Sequence, residues 1–273
     1  MAKISIITIN YNDKIGLEKT VNSVVNQTYT DFEFLIIDGG STDGSKEIIK
    51  KYKERINYWV CETDSGIYNA MNKGIKAANG DYLLFLNSGD WFYCNDTLAN
   101  VDKLIDCKFD IYYGNAVFKF DKKDKIVKYD EKISFYFFTQ NSFCHQATFI
   151  KRKLFYDIFF YNENLKIVSD WEFFVYAICI KNVSIKYIDL IIVNYNFQGI
   201  SSRPETEIIK ISERQQVYLK YFPMYIEDYK NIEIVNSKRI QNILHIKKFL
   251  FAWTILKGIL NLFLLVLPKK IKN

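Results

Sequence analysis

Polar side chains follow three apolar runs in the first third of the chain. Thr8 and Asn10 close the first run, Asp38 follows the second, and Asn87-Ser88-Gly89-Asp90 follows the third. A buried parallel strand is a continuous hydrophobic run, and ligands of open α/β sheets bind just outside the carboxyl ends of such strands. We therefore expect one cleft at these strand ends, in which Thr8 and Asn10 hold a base or ribose and Asp38 accepts a hydrogen bond from a ring N–H.

Asp90 is the candidate ligand of a divalent cation. A carboxylate together with phosphate oxygens suits Mg²⁺ or Mn²⁺, and such a cation offsets the charge of a departing nucleoside diphosphate. Ser88 stands where a second acidic ligand would be expected, and the structural alternative is that Asp90 caps a helix. His145, just before a predicted strand, is a candidate for contact with a metal, a pyrophosphate or an acceptor.

Two predicted helices begin with acidic side chains. Asp64-Ser65-Gly66 opens a helix predicted over 64–78, where Asp64 or Ser65 can cap the helix and the same N-terminus favours an anion or sugar hydroxyls. Ser169-Asp170-Trp171 opens another, predicted over 170–181. Asp170 can be a carboxylate stabilised by the helix dipole, or it can take a proton from an attacking hydroxyl. We predict that Asp170 is a general base.

Two loops rich in small residues adjoin these strands. We interpret Asp43, in the first loop, as the start of an Asx-turn. The second loop, residues 196–203, can close over a diphosphate through backbone N–H groups and hydroxyls, with Gly199 and Ser201 as candidate contacts. Its structural alternative is an ordinary turn before the next helix.

The order of elements predicts an α/β fold. Apolar runs alternate with segments of helical spacing up to residue 86, and this β-α-β order indicates a mostly parallel sheet with right-handed crossovers. We therefore divide residues 1–204 into a first half, 1–110, and an α+β second half, 111–204, packed on the same sheet. Later strands are predicted at 111–113, 117–120, 126–129, 147–150, 185–187 and 191–195.

The last part of the chain, residues 205–273, is predicted to be helical and is basic. From Glu207 onward it has 12 Lys+Arg and 5 Asp+Glu, a net charge of +7, whereas the preceding residues carry −1. Residues 249–267 are almost uniformly apolar, with a narrow polar stripe and flanking lysines. Such a helix suits a membrane interface, although it could also span a bilayer or be a buried core or dimer helix. We predict membrane association over 247–268.

Composition and missing motifs exclude several classes of protein. The 5 Cys show no C-x-x-C spacing, and this absence is typical of reduced thiols in a cytosolic protein. The first residues enter a strand without the features of an export signal. Asn10-Tyr11-Asn12-Asp13 stands where a dinucleotide enzyme would have G-x-G-x-x-G. The basic charge lies beside leucines in the tail, which argues against nucleic-acid binding.

Taken together, the motifs resemble those of the inverting family 2 glycosyltransferases of the GT-A fold, in particular the bacterial polysaccharide-biosynthesis branch of the colanic-acid type. The resemblance extends over residues 3–203. It is carried, in this order, by Ile6–Asn10, Ile36–Gly44, Asp64–Gly74, Phe85–Asp90, His145–Ala147, Ser169–Trp171 and Gly199–Ser202.

The resemblance implies a role for each matching position. Asp170 would be the base that activates the acceptor hydroxyl. Asp90 would be the surviving carboxylate of a D-x-D-type motif and would hold Mn²⁺ or Mg²⁺, with His145 as a second ligand. The donor, a UDP-sugar, would be contacted by Thr8, Asn10, Asp38, Asp64, Asn72, Ser88, Gly199 and Ser201.

The implied reaction is a single displacement at the anomeric carbon, which inverts its configuration, by the same logic as in inverting hydrolases. The basic, apolar tail would hold a cytoplasmic enzyme at the inner membrane surface, where the acceptor is a lipid-linked glycan; a homo-oligomer is compatible with the sequence. The alternative is a non-catalytic nucleotide-sugar or glycan-binding protein on the same fold, which the single acid of Ser88-Gly89-Asp90 favours.

Overall fold

The structure, a computed structural model, describes residues 3–120, 123–197, 199 and 203–267. The chain divides into two compact units, of which the first ends at Val217 and the second begins at Tyr218. The first unit is built on one mixed sheet with helices packed against it, and the second unit is helical.

Strands and helices alternate in the first half, as predicted. The elements are β1 (Ile4–Asn10), α1 (Lys14–Val25), β2 (Phe32–Asp38), α2 (Ser45–Lys51), β3 (Tyr58–Cys61), α3 (Ile67–Ala77) and β4 (Tyr82–Phe85). β1 pairs in parallel with β2 and β4, and β2 pairs in parallel with β3. Every residue of β1 and β4 is buried, since both faces of this part of the sheet are covered. Their carboxyl ends therefore share one edge, where Asn10 lies beside Asp38 in the register.

The second half extends the same sheet. Its elements are β5 (Trp91–Phe92), α4 (Thr97–Leu104), β6 (Ile111–Lys119), β7 (Lys125–Val127), α5 (Phe135–Gln140), β8 (Thr148–Lys151), α6 (Lys153–Asp157), α7 (Ser169–Cys179), β9 (Ile185–Asn196) and α8 (Glu207–Tyr221). The strand order is β3-β2-β1-β4-β8-β6-β9-β5, with β7 paired to β6. β8 is antiparallel to both of its neighbours, β4 and β6, while β6 and β9 are parallel. The predicted α/β fold class is confirmed, with an uninterrupted parallel pairing in the first half.

Several predicted boundaries are wrong. β6 and β9 are each one strand, not two, because their pairing with each other continues through an irregularity between Tyr187 and Ile191 rather than through a turn. α3 begins at Ile67 rather than at Asp64, and neither Asp64 nor Ser65 caps it. The residue before the helix is Gly66 at φ +134, a conformation that side-chain-bearing residues rarely adopt.

The close approach of α3 to the sheet depends on Gly74. A Cβ atom at this position would lie 2.5 Å from Cγ2 of Ile7 in β1. The glycine therefore lets the helix backbone pack directly on β1, which brings the start of α3 to the edge where β1 and β2 end.

The second unit contains the end of α8, then α9 (Ile226–Asn236), α10 (Lys238–Ile246) and α11 (Leu250–Val266). The predicted apolar helix is present as α11, and large side chains such as Phe251 and Leu265 are more than four-fifths exposed. Among the residues that the structure describes, no helix is both long enough and apolar enough to cross a membrane. All five cysteines are free.

Candidate active site

Asp38, at the end of β2, organises the loop that follows it. Its Oδ2 accepts hydrogen bonds from Nδ2 of Asn10 and Oγ of Ser41, both at 2.7 Å, and its Oδ1 accepts from the backbone N–H groups of Gly40 and Ser41. Burial raises the pKa of Asp38, but these bonds and one from the Cys61 thiol outweigh burial, so that the pKa is lowered. The carboxylate is therefore ionised and fixed at neutral pH.

Oδ1 of Asn10, beside Asp38, is a buried hydrogen-bond acceptor. The residue is 4% exposed, and its Oδ1 has no hydrogen-bond partner among the residues that the structure describes. A buried acceptor without a partner costs free energy, and a ligand N–H or O–H would satisfy it. Asn10 is thus placed as predicted, beside Asp38 at the strand ends.

Asp64 and Asp43 border the same loop. Oδ1 of Asp64 accepts from the N–H of Gly66 at 3.0 Å, and its Oδ2 lies where a Cβ on Gly39 would come within 2.6 Å. The structure thus brings Asp64 to the end of β2. Asp43 accepts from the N–H of Ser45, two residues on, so the predicted Asx-turn is present.

Three predicted donor contacts have other roles in the structure. The hydroxyl of Thr8 is fully buried and donates to the carbonyl of Leu86 at 2.8 Å, so it joins β1 to the end of β4. Asn72 is 3% exposed, and its amide is bonded to the backbone at Tyr161 and to Glu163. Ser88 donates to the carbonyl of Asp13 at 3.3 Å. These side chains hold the frame of the cleft together because their polar groups already have protein partners.

The loop after β9 is described only in part. Gly199 is exposed, and its N–H lies 3.4 Å from the carbonyl of Asn196. Ser201 lies outside the described residues, so its predicted donor contact remains a prediction.

Asp90 is buried between three segments. Its Oδ2 accepts from Nε2 of Gln146 and its Oδ1 from the N–H of Asn196, both at 2.8 Å. Burial raises the pKa of Asp90 to about 7 in spite of these bonds. The alternative that Asp90 caps a helix is wrong, because a strand, β5, begins at Trp91.

Gly89, directly before Asp90, has little room for a larger side chain. Gly89 has φ +93, and a Cβ there would lie 3.2 Å from Nδ2 of Asn196. The N–H of Gly89 is bonded to the hydroxyl of Thr20 in α1. The loop between β4 and β5 is thus fixed from both sides.

His145 connects the end of β4 to the start of α7. Its Nε2 lies 3.1 Å from Nδ2 of Asn87, and its Nδ1 lies 3.1 Å from Oδ2 of Asp170. Since an amide nitrogen donates, Nε2 accepts and Nδ1 carries the proton that is donated to Asp170. Both ring nitrogens of His145 thus have protein partners in this arrangement, and its predicted role as a metal ligand stays a prediction.

Asp90 and His145, the predicted cation ligands, are both hydrogen-bonded to the protein. Both oxygens of Asp90 and both nitrogens of His145 have protein partners. Within the described ranges, no group of three or more His, Cys, Asp or Glu side chains could hold a metal ion. The predicted binding of a cation by Asp90 and His145 stays a prediction.

Asp170 lies in the first turn of α7 with both oxygens oriented. Oδ1 accepts from the hydroxyl of Tyr68 in α3 at 3.0 Å, and Oδ2 accepts from His145. Burial raises the pKa of Asp170, but the interactions with His145 and Tyr68 outweigh burial and lower it. The side chain is 16% exposed. An ionised, oriented and partly accessible carboxylate can accept a proton from a bound hydroxyl.

Tyr68 and Asn87 are functional candidates that the sequence did not single out. Both lie inside motifs that carried the resemblance, Tyr68 in 64–74 and Asn87 in 85–90. Their partners lie 102 and 58 residues away along the chain. Spacing along the sequence carries no signal for contacts of this range.

Comparison with known proteins identifies the class. The sequence profile of glycosyl transferase family 2 matches residues 5–159. A PGL/p-HBAD biosynthesis glycosyltransferase of Mycobacterium tuberculosis is 32% identical over 205 residues, which are 72% of this chain and 78% of the relative.

Two solved structures share the fold. A fragment of TarS from Staphylococcus aureus in complex with UDP-GlcNAc has a TM-score of 0.60 and 21% identity, covering 71% of this chain and 58% of that one. The mannosyltransferase PcManGT from Pyrobaculum calidifontis, in complex with GDP-Man and Mn²⁺, has a TM-score of 0.56 and 13% identity, covering 93% and 86%. This chain thus spans somewhat more than half the length of the TarS fragment.

The mixed sheet and its surrounding helices match the GT-A glycosyltransferase structures. The chain belongs to glycosyl transferase family 2, and it is a glycosyltransferase.

Proposed function

We propose that this protein transfers a sugar from a UDP-sugar to a hydroxyl group of a growing, lipid-linked bacterial surface glycan, with inversion at the anomeric carbon. The observation that carries the proposal is the geometry of Asp170, which is ionised, held by two donors and partly exposed. One of these donors, Tyr68, lies in the first turn of α3, and Asp64, just before that helix, lies beside Gly39 at the end of β2. The polysaccharide-biosynthesis branch predicted from the sequence belongs to this proposal.

Asp170 acts as the general base. The acceptor hydroxyl gives its proton to Asp170 while its oxygen attacks the anomeric carbon, and the bond from that carbon to the diphosphate breaks. The electron pair of this bond leaves with the diphosphate. One displacement without an enzyme nucleophile inverts the configuration. Tyr68 and His145 position the carboxylate and keep it ionised, so that it is ready to accept the proton at neutral pH.

The donor lies at the ends of β1 and β2. Asn10 offers a buried acceptor, and the loop organised by Asp38 lines the same pocket with Asp64. A uracil ring presents an N–H that such an acceptor can bind. The choice of UDP is supported by the TarS fragment, which was solved with UDP-GlcNAc.

A divalent cation, Mn²⁺ or Mg²⁺, remains a prediction for this chain. PcManGT was solved with Mn²⁺, and a cation would neutralise charge on the leaving diphosphate. Both predicted cation ligands, Asp90 and His145, have protein hydrogen-bond partners in the structure.

The second unit is the proposed membrane-associating part. α11 exposes large apolar side chains, and Lys247 and Lys248 precede it. An amphipathic helix with basic flanks binds at the interface of an anionic bilayer. A peripheral position on the cytoplasmic face of the inner membrane would place the enzyme where a lipid-linked acceptor is exposed.

The Asp170→Asn variant tests the proposed function. Transfer of labelled sugar from UDP-sugars to a membrane-lipid extract should fall about 10²–10⁴-fold, the usual contribution of a general base. The stabilisation of the fold by UDP, measured as a thermal shift, should be retained. Asp157→Asn, in an exposed ion pair on α6, is the matched control.

Equal transfer by wild type and Asp170→Asn would overturn the assignment of the base. The non-catalytic alternative gives another result, in which the wild type binds UDP-sugars but neither transfers nor hydrolyses them.

A further inference from the structure

A buried carboxylate of α8 binds the backbone that leads into α7, the helix of Asp170. Glu213 is 6% exposed, although glutamate is rarely buried without partners. Its Oε1 accepts a hydrogen bond from the N–H of Lys166 at 2.6 Å. Its Oε2 accepts from the N–H groups of Ile167 and Val168 at 3.0 and 3.2 Å. Three consecutive N–H groups thus surround one carboxylate, an arrangement that binds an anion firmly.

These N–H groups belong to an irregular part of the chain. Residues 161–168, which the structure describes throughout, contain neither helix nor strand, so their N–H groups need acceptors from elsewhere. The beginning of this segment is held by α3, because the N–H of Tyr161 donates to Asn72 at 3.0 Å. The last three residues are held by Glu213. Loss of this carboxylate would release the part of the segment that adjoins α7.

The first turn of α7 depends on the same support. Val168 directly precedes α7, and its apolar side chain cannot accept a hydrogen bond from the first N–H groups of the helix. Asp170 is the second residue of α7, two positions after Val168. A shift of Val168 therefore moves the carboxylate of Asp170 relative to its two hydrogen-bond donors.

α8 also contacts α7 on the C-terminal side of Asp170. Cζ of Arg214, the next residue of α8, lies 4.8 Å from the centre of the Trp171 ring, within the range of a cation–π interaction. Nε1 of Trp171 donates to the carbonyl of Phe138 in α5 at 3.0 Å. Two neighbouring residues of α8 thus hold the chain shortly before and directly after the proposed base.

We propose that Glu213 is a positioning residue for the base of this transfer. It fixes residues 166–168, and through them the first turn of α7, so that Asp170 keeps its alignment with its two donors and with the acceptor hydroxyl. A displacement of about 1 Å can lower a rate about 10²-fold, so the support of this turn affects transfer itself. This inference rests on the proposed function, because Glu213 acts through Asp170.

The Glu213→Gln variant tests this role, because it keeps the size of the side chain and replaces one acceptor oxygen by an amide nitrogen that cannot accept a hydrogen bond. Transfer of labelled sugar from UDP-sugars to a membrane-lipid extract is measured with the full chain. We expect kcat to fall about tenfold. The KM for the UDP-sugar should stay within about twofold of wild type, because the lost alignment matters in the transition state.

Glu207→Gln on the same helix is the matched control, since Glu207 is exposed and forms an ion pair with Lys210. It should transfer like the wild type. Glu213→Ala, which removes both acceptor oxygens, should lower kcat further than Glu213→Gln. Circular dichroism and the stabilisation by UDP check that each variant is folded.

The 2 His of the chain allow a second measurement that does not depend on transfer. In protein labelled with ¹⁵N-histidine, the proton on Nδ1 of His145 reports the hydrogen bond to Asp170. Its NMR signal should shift upfield in Glu213→Gln, because the bond lengthens when α7 moves. The signals of His245 in the tail should stay unchanged, and His245→Ala assigns the two residues.

The proposal requires both results. A wild-type kcat in Glu213→Gln would overturn it, and so would a lower kcat with an unshifted His145 signal, since Glu213 would then act by another route. A parallel loss of kcat and of UDP binding would assign Glu213 to stability alone. Failure of the proposed function gives a different result, namely transfer by Asp170→Asn at the rate of the wild type.

Discussion

Nδ1 of His145 lies 3.1 Å from Oδ2 of Asp170 and is assigned the donor in this bond, because Asn87 donates to Nε2 from the other side. One amide thereby sets the tautomer of the imidazole, and the imidazole orients the proposed base. The end of β4 and the start of α7 are connected through this single side chain.

The His145→Ala variant should show a changed pH dependence of transfer. Without the donor, burial dominates, so the pKa of Asp170 rises and the base is protonated at a higher pH. The acid limb of kcat should therefore move upward, and each unit of pKa lowers the rate at acidic pH about tenfold. A pH–rate profile of wild type, His145→Ala and the tail control His245→Ala measures this. An acid limb at the same pH in all three would contradict the positioning role.

Asp90 should make stability depend on pH. The folded protein keeps the proton on Asp90 up to about pH 7, whereas the unfolded chain releases it near the ordinary aspartate pKa of 3.8. Stability contributed by this group should therefore decrease as pH rises from 4 to 7 and stay constant above that, with a total change of up to about 4 kcal/mol. Asp90→Asn removes the titration.

Urea unfolding at pH 5, 6, 7 and 8 measures the effect of Asp90. The free energy of unfolding of Asp90→Asn should decrease less between pH 5 and 7 than that of the wild type. Parallel curves for the two proteins would show that burial does not raise the pKa of Asp90.

Asn72 should matter for stability rather than for donor binding. Asn72→Ala leaves the backbone N–H and carbonyl of Tyr161 without their partners, which should cost about 2–3 kcal/mol of unfolding free energy. The KM for the UDP-sugar should stay within about twofold of wild type. Asn69→Ala, which loses one exposed bond to Glu163, is the control. A large increase in KM with unchanged stability would show instead that Asn72 contacts the donor.

Truncation after residue 246 should release the protein from membranes. The removed segment contains α11 and the lysines that flank it, so both the apolar and the electrostatic attraction are lost. The fraction that sediments with vesicles containing anionic lipid should fall for the truncated chain, and UDP should still raise its melting temperature. Unchanged sedimentation would mean that another part of the chain binds the membrane.

Titration with Mn²⁺ in the presence and absence of UDP tests the predicted cation. If the cation is held mainly by the nucleotide, Mn²⁺ should bind only with UDP present, and Asp90→Asn should change its affinity less than tenfold. Tight binding of Mn²⁺ without UDP would show that the protein itself, and not mainly the nucleotide, holds the cation.

The sequence predicted the strand ends well because buried parallel strands appear in a sequence as continuous apolar runs. Asn10, Asp38 and Asp90 follow such runs, and all three lie at one edge of the sheet. The start of α7 and the position of Asp170 were likewise predictable from a local pattern. The position of these groups thus follows from short segments of sequence.

The contacts that decide the chemistry were not predictable in this way. Thr8, Asn72 and His145 are predicted to contact a ligand because their polarity suits one, and the same polarity suits the protein partners that they have in the structure. Those partners come from distant segments, such as 161–163 for Asn72. Irregular pairing also hid the continuity of β9, since its interruption resembles a turn in the sequence.

The loop between β4 and β5 also restricts how this protein could change. A carboxylate at position 88 would face the carbonyl oxygen of Asp13, to which Ser88 now donates a hydrogen bond. A carboxylate at position 89 would require a strained backbone at φ +93 and would crowd Asn196. A second acid at either position should therefore destabilise the loop, and an engineer or a lineage acquiring one would gain by altering the neighbouring residues with it.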